Sequence, residues 1–140
     1  MDRRQRKDRE RPAREDEHLR REDPRSIRDF ERALAEEASV STEFGLPLCV
    51  LVARLQNRAP REDARRVVAV LRAGDLIAQP EPREISVALP NTDFADAEVV
   101  ERRLRKTLPG AAISIAVHRA GDTVPDLLNR ARDAVVRKTP

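Results

Sequence analysis

An uninterrupted run of six apolar residues, Leu48 to Ala53, constrains the fold of this chain more than any other feature of its sequence. A strand with one face in water alternates apolar and polar side chains, whereas a continuous apolar run is typical of a strand buried on both faces. The sequence therefore predicts a sheet that is covered on both sides around this strand. The core must be aliphatic, because aromatic residues make up only 2% of the chain.

Hydrophobic periodicity on either side of this run predicts the other elements. Asp23 and Pro24 have the types expected of a helix cap and a first-turn proline, and a helical stripe of apolar residues follows them. The alternating segments predict strands, and residues 79–82 predict a turn. The predicted helices cover 23–44, 64–71, 97–108 and 123–135, and the predicted strands cover 48–53, 76–78, 84–89 and 111–117.

The order of these elements is helix, then β-α-β-β-α-β, then helix. The central unit has the split βαβ pattern of ferredoxin-like folds, so the predicted class is α+β. Two helices are expected to cover one face of a four-stranded antiparallel sheet. The extra N- and C-terminal helices are expected on the other face or at the edges.

Residues 1–22 differ in composition from the domain predicted over 23–140. They hold nine Arg or Lys and seven Asp or Glu but only three apolar residues. Such a segment buries too little surface to offset its ordering entropy, so we expect a disordered, charged arm. Its interleaved acids favour a solvating tail over an arm that binds nucleic acid.

Composition excludes several classes of protein. A single cysteine, Cys49, excludes an internal disulfide framework and a thiolate zinc site, and two histidines leave little for another metal centre. Few aromatic residues exclude a stacking platform for single-stranded nucleic acid. No apolar run approaches the ~20 residues that span a bilayer, and no signal-peptide core precedes the domain. We therefore expect a cytoplasmic protein without membrane association.

The stretch from Arg72 to Asp93 carries a family resemblance. It reads Arg-Ala-Gly-Asp-Leu-Ile-Ala, then a hairpin, then Ile-Ser-Val-Ala-Leu-Pro-Asn-Thr-Asp. This resembles a diguanylate cyclase, or GGDEF-type, domain, and Ser114 to Val117 resembles the Ser-Ile-Gly-Val strand of that family. The resemblance covers residues 23–138 and implies an elaborated ferredoxin-like palm, in agreement with the periodicity.

The catalytic features of the family do not carry over. Its signature hairpin, Gly-Gly-Asp/Glu-Glu-Phe, falls on residues 81–85, which read Glu-Pro-Arg-Glu-Ile, so that only Glu84 matches. Arg83 stands at one metal-binding position of the family, and the end of the first strand offers Arg54 where the other carboxylate is expected. Magnesium needs hard oxygen ligands. The departures imply a degenerate domain that is not an enzyme and holds no metal or cofactor, with Glu84 a charge on a solvated hairpin.

One feature of the family matches residue by residue. Many such cyclases carry a product-binding inhibitory site, an Arg-x-x-Asp placed five residues before the hairpin, and Arg72 and Asp75 have this spacing before Glu81. A second arginine of that site falls on Arg103. By resemblance, the two arginines bind phosphate or the O6/N7 edge of guanine in cyclic di-GMP, and Asp75 accepts from its N1–H and amine.

Three functions follow as hypotheses. The first is a cyclic di-GMP receptor or regulatory module that uses Arg72, Asp75 and Arg103, with ligand-linked dimerisation expected by resemblance. The second is a nucleotide-independent scaffold for homodimerisation or for docking a protein partner. Binding of nucleic acid by the arm is a weaker third. Each of the three residues is also expected at its position without any ligand. A cation such as Arg72 is favoured at a helix C-terminus, Asp75 is an ordinary residue of a connection, and Arg103 lies in an arginine-rich solvated stretch.

Overall fold

The computed structural model of the chain describes residues 27–57 and 61–138, so the predicted arm and the predicted helix start at Asp23 lie outside the described residues. The elements follow the predicted order. Among the described residues, none of the helices has the length and the apolar composition of a membrane span. The elements are α1 (Ile27–Phe44), β1 (Leu48–Arg54), α2 (Arg61–Ala69), β2 (Leu76–Glu81), β3 (Glu84–Pro90), α3 (Phe94–Thr107), β4 (Ala112–Val117) and α4 (Val124–Lys138).

The four strands form one antiparallel sheet in the order β2-β3-β1-β4. The apolar strand β1 is central, since Leu51 pairs with Val87 of β3 on one side and with Ile115 of β4 on the other. This is the arrangement of a β-α-β-β-α-β unit with an added helix at each end. The predicted α+β class with a ferredoxin-like core is confirmed.

Two aliphatic cores lie on the two faces of the sheet, as the apolar run predicts. Alternate residues of β1 enter different cores because successive side chains of a strand point to opposite faces. Cys49, Leu51 and Ala53 pack in the core under α2 and α3. Leu48 and the alternate residues after it pack in the core under α1 and α4. The terminal helices therefore cover the second face rather than only the edges.

At the β2–β3 hairpin the predicted boundaries are wrong. Strand β2 continues to Glu81, and the turn consists of Pro82 and Arg83 rather than of residues 79–82. A register shift between Ala78 and Glu81 accommodates Pro80, which has no N–H to donate to a ladder. Strand β2 lies at an edge of the sheet, where a proline and a bulge are tolerated.

Candidate functional site

The three predicted ligand-binding residues line one cleft. Arg72 and Asp75 lie in the connection before β2, and Arg103 lies on α3. The cleft has a volume of about 190 Å³ and is found where β2 begins and β3 ends. Besides these three residues its lining consists of Val70, Leu89, Thr92, Asp96, Val99 and Val100.

Asp75 closes the turn that carries Arg72. The backbone N–H of Arg72 donates to Asp75 Oδ2 at 2.7 Å, and the backbone N–H of Asp75 donates to the Arg72 carbonyl at 3.0 Å. The Asp75 side chain is only 3% exposed. The positions of Arg72 and Asp75 are therefore mutually fixed, which explains locally why the two residues need a separation of three.

The connection between α2 and β2 differs from a simple helix cap. Helix α2 ends at Ala69, and single turns continue the chain through hydrogen bonds from Val70 N–H to Val67 O and from Leu71 N–H to Val68 O. Gly74 therefore stands five residues beyond the helix end, and its φ is not positive. Gly74 is therefore not a left-handed C-terminal glycine of α2.

The Arg72 guanidinium bends over the end of β3. Its Nη2 donates to the carbonyl of Pro90 at 3.1 Å and to Thr92 Oγ1, while Thr92 Oγ1 donates to the same carbonyl at 2.9 Å. The same nitrogen lies 4.0 Å from Asp75 Oδ1. The Arg72 side chain is nevertheless 65% exposed, so part of this five-donor group faces the cleft and solvent.

The turn between β3 and α3 positions Thr92, the residue whose hydroxyl oxygen accepts from Arg72. Asn91 has φ of 52°, in the left-handed region, where an asparagine is better tolerated than most residues. The Cys49 thiol donates to the Thr92 carbonyl at 3.3 Å, and burial together with the charge of Asp93 raises the pKa of this thiol to about 11. Cys49 is thus a buried packing residue, as its place in the apolar run predicts.

Helix α3 presents a polar–apolar–polar face to the cleft. Asp93 caps the helix, since its side chain accepts from the Asp96 N–H at 2.9 Å. Asp96 and Arg103 are seven residues apart, which is two turns, and Val99 and Val100 line the cleft between them. Sequence reasoning found Arg103 but missed Thr92 and Asp96. The i, i+7 spacing of Asp96 and Arg103 is the signal that points to the acid.

The opposite end of the sheet holds a buried carboxylate. Glu84 accepts from Arg132 Nε at 2.9 Å and lies 3.7 Å from Arg54 Nη1, and its side chain is 4% exposed. The expectation of a solvated hairpin charge is wrong because Arg132, on α4, packs against the start of β3. Nothing in the local sequence around Glu84 points to that arginine. Arg83 is also engaged, since its Nε donates to the Leu55 carbonyl at 3.2 Å.

This end of the sheet does not fit a divalent cation. A magnesium ion needs several oxygen ligands, and here the Glu84 carboxylate faces two guanidinium groups that already neutralise it. Among residues 27–57 and 61–138, no group of three or more His, Cys, Asp or Glu side chains is arranged to hold a metal ion.

No protein-family model matches the sequence, and no curated protein matches it. Solved structures do. One is a microbial GGDEF domain that was solved in a novel interaction mode with cyclic di-GMP. It is 19% identical with a TM-score of 0.70, and the match covers 87% of this chain and 91% of that chain. The GGDEF domain of DgcB from Caulobacter crescentus, in complex with cyclic di-GMP, is 13% identical with a TM-score of 0.69, over 82% and 85%. The diguanylate cyclase SiaD of Pseudomonas aeruginosa, in complex with its activator SiaC, is 23% identical with a TM-score of 0.74, over 82% of this chain and 54% of SiaD.

These likenesses define the class of the protein. It is an α+β domain with a four-stranded antiparallel sheet between two pairs of helices. More particularly, it has the fold of GGDEF domains, as the resemblance between Arg72 and Asp93 implies.

Proposed function

We propose that this GGDEF-like domain is a catalytically inactive receptor for cyclic di-GMP. The observation that carries the proposal is the cleft that Arg72, Asp75 and Arg103 line together, although Arg103 comes from a separate helix. Two proteins of the same fold were solved with cyclic di-GMP, which supports this choice of ligand.

The chemistry of the cleft suits an anionic purine nucleotide. Arg72 and Arg103 offer planar forks of donors that match phosphate oxygens or the O6/N7 edge of guanine. Either guanidinium can also stack on a base. The two valines of α3 between Asp96 and Arg103 offer an apolar surface for the purine ring.

The volume of the cleft determines how much of a cyclic di-GMP molecule it can enclose. Its volume of about 190 Å³ lies below the ~300–1,000 Å³ of pockets that enclose a whole drug-sized ligand. One guanine with its phosphate can enter, and the rest of the dinucleotide remains outside. A second ligand molecule or a second protomer is then expected to cover the remainder, so that binding and dimerisation are linked.

The proposed lack of cyclase activity is supported at the other end of the sheet. Phosphoryl transfer depends on metal ions that neutralise the reacting phosphates. Here the carboxylate of Glu84 is held by Arg132 and Arg54, and the hairpin carries Pro82 where a close backbone approach needs glycine. We expect no cyclic di-GMP to form when the protein is incubated with GTP and magnesium.

Calorimetric titration with cyclic di-GMP tests the receptor function. Wild type is expected to bind at micromolar or tighter affinity, and Arg72→Ala is expected to lose at least tenfold. Arg102→Ala is the matched control, because Arg102 is an exposed arginine of the same helix as Arg103 that does not line the cleft. Absence of heat and of any thermal shift in wild type, or equal losses in both variants, would contradict the proposal.

A second candidate function is a scaffold that ignores nucleotide. Two of the three phenylalanines are exposed, Phe44 at 65% and Phe94 at 49%, and Leu46, two residues after Phe44, is 39% exposed. Exposed large apolar groups of this kind suit an interface with a protein. Light scattering with and without cyclic di-GMP separates the two functions, since a scaffold dimerises to the same extent in both conditions.

A further inference from the structure

We propose that a groove on the face of the sheet covered by α1 and α4 binds an organic cation, a guanidinium or ammonium group on a short alkyl stem. The groove is separate from the cleft of the proposed receptor function, which lies on the face that α2 and α3 cover. The inference therefore goes beyond that function and does not depend on it.

The groove lies between the C-terminal half of α1 and the connection from β4 to α4. Its volume is about 420 Å³, within the ~300–1,000 Å³ of small-molecule sites. Helix α1 lines it with small and hydroxyl side chains at helical spacing, Ala35, Ala38, Ser39 and Thr42, and with Glu43. These side chains are short, so that space for a ligand remains beside the helix.

The charge of the lining favours a cation. Two carboxylates, Glu43 and Asp122, line the groove. Although the chain has 28 arginines and lysines, none of those in the described ranges is part of this lining. An anionic ligand is therefore repelled here, whereas a cationic one is attracted.

Glu43 is placed where an acid is unfavourable unless a cation lies nearby. It belongs to the last turn of α1, where the helix dipole favours positive charge, and this turn contains no basic residue. Within residues 27–57 and 61–138, its carboxylate makes no hydrogen bond or ion pair. A cation bound in the groove would neutralise Glu43 and also complement the dipole of α1.

The opposite wall offers an acceptor but no uncompensated charge. Both oxygens of Asp122 accept from the Arg130 guanidinium, at 3.2 and 2.7 Å, so this acid is already neutralised. The Ser41 hydroxyl donates its only proton to the Leu46 carbonyl. Nδ1 of His118, 3.4 Å from the same hydroxyl oxygen, must then carry a proton, which leaves Nε2 as an acceptor in the neutral imidazole.

A guanidinium or ammonium group matches this set of partners. Its N–H groups donate to the Glu43 carboxylate and to the exposed hydroxyls of Ser39 and Thr42. The methylenes of its stem lie along Ala35 and Ala38. A metal ion is a poorer match, because no three His, Cys, Asp or Glu side chains of the described residues are arranged to hold one.

NMR titration of the isotope-labelled full chain with n-butylguanidinium tests the proposal. We expect chemical-shift changes confined to amides around the groove and a Kd in the millimolar range or tighter. The neutral isostere n-butylurea, measured at the same ionic strength, should bind at least about fivefold more weakly because it has no charge for Glu43.

Two variants test the carboxylate and the apolar floor separately. Glu43→Gln should weaken the binding of n-butylguanidinium at least about fivefold without lowering the melting temperature, since it removes an acid that the helix dipole disfavours. Glu36→Gln is the matched control, because Glu36 is an exposed acid of the same helix outside the lining, and it should bind as wild type. Ala35→Leu fills the floor without changing the net charge and should also weaken binding.

A second probe identifies the source of the cation. If an acetylated and amidated Gly-Arg-Gly peptide binds as tightly as n-butylguanidinium, the groove accepts an arginine side chain of a protein. If only the free cation binds, the ligand is a small metabolite.

Three results would overturn the proposal. They are the absence of shifts at the groove, equal affinities for n-butylguanidinium and n-butylurea, and equal affinities of Glu43→Gln and Glu36→Gln for n-butylguanidinium. None of these measurements uses cyclic di-GMP, so a failure of the receptor function is recognised separately.

Discussion

At the scale of single residues, the two ends of the sheet show how the same residue types acquire different roles. Asp75 and Glu84 are both nearly buried carboxylates next to arginine. Asp75 holds its own turn through a backbone N–H, whereas Glu84 joins β3 to α4 through Arg132. A buried charge is tolerated only when its partners are present, so Glu84 depends on the Arg132 side chain, whereas Asp75 depends on a backbone N–H that remains when the Arg72 side chain is truncated.

The site was predictable where a short spacing or the family resemblance pointed to its residues. The spacing of Arg72 and Asp75 before the hairpin, and the resemblance that adds Arg103, identify three residues that the structure brings to one cleft. The contact of Arg132 with Glu84 spans 48 residues. No local pattern encodes it, because it depends on how α4 crosses the sheet.

Loss of the Glu84 charge is expected to destabilise the whole domain. Glu84→Gln keeps the shape but leaves Arg132 without its anion, and we expect a loss of about 2 kcal/mol in the free energy of unfolding. Arg54→Ala should cost less, about 0.2–1 kcal/mol, because Arg54 lies 3.7 Å from the carboxylate and is 32% exposed. Urea unfolding followed by circular dichroism measures both. If both variants lose the same free energy of unfolding, the hydrogen bond from Arg132 to Glu84 adds no stability beyond that of the Arg54 contact.

At the scale of elements, helix α4 closes the free edge of β4. His118 N–H donates to the Leu48 carbonyl, so the alternate residues Ile113 and Val117 direct their backbone groups away from β1. Lys138 Nζ donates to Ile113 O at 2.7 Å, and Arg130 Nη2 donates to Val117 O at 2.6 Å. Cations on α4 therefore occupy two of the carbonyls that a foreign strand would need.

Arg130 is itself held in position by an acid. Its guanidinium donates to both oxygens of Asp122, at 3.2 and 2.7 Å. This bond lowers the pKa of Asp122 to about 2. The contribution of the pair is present above the ordinary aspartate pKa and is lost as the pH falls toward 2. At neutral pH the pair is fully charged.

Removal of the two capping cations is expected to promote self-association. In the double variant Arg130→Ala/Lys138→Ala, the carbonyls of Ile113 and Val117 lose their donors and the edge can pair with another chain. Light scattering over a range of concentrations should show larger species than for wild type. The control is Arg119→Ala/Arg137→Ala, which removes two exposed arginines and the same charge. If both double variants scatter alike, net charge and not the strand edge governs association.

At the scale of the whole molecule, the sequence predicts the architecture better than it predicts the details. The run from Leu48 to Ala53 implies a sheet with two covered faces, and periodicity supplies the element order, because both depend on burial patterns that local sequence carries. The end of β2 was not predictable, since Pro80 signals a turn but lies in an edge strand at a bulge. Tertiary context decided that boundary.

The central strand also makes the two cores interdependent. Leu51 is 1% exposed in the core under α2 and α3, while its neighbours Val50 and Val52 belong to the core under α1 and α4. Truncation of Leu51 leaves a cavity that the close-packed strand cannot fill, and Leu51→Ala is expected to cost about 2–5 kcal/mol. Because β1 contributes side chains to both cores, the substitution should also destabilise the core under α1 and α4, into which Leu51 does not pack.

Hydrogen exchange of backbone amides tests this coupling in a chain that has no tryptophan or tyrosine to report on it. In Leu51→Ala, the amides of α4 should lose protection by the same free energy as those of α3, although Leu51 packs only on the α3 side. Val136→Ala, at an exposed position of α4, should change protection by less than about 0.5 kcal/mol. If α4 keeps its wild-type protection in Leu51→Ala while α3 loses it, the two faces unfold separately. The shared strand would then join two independent units, because a cooperative domain loses both faces together.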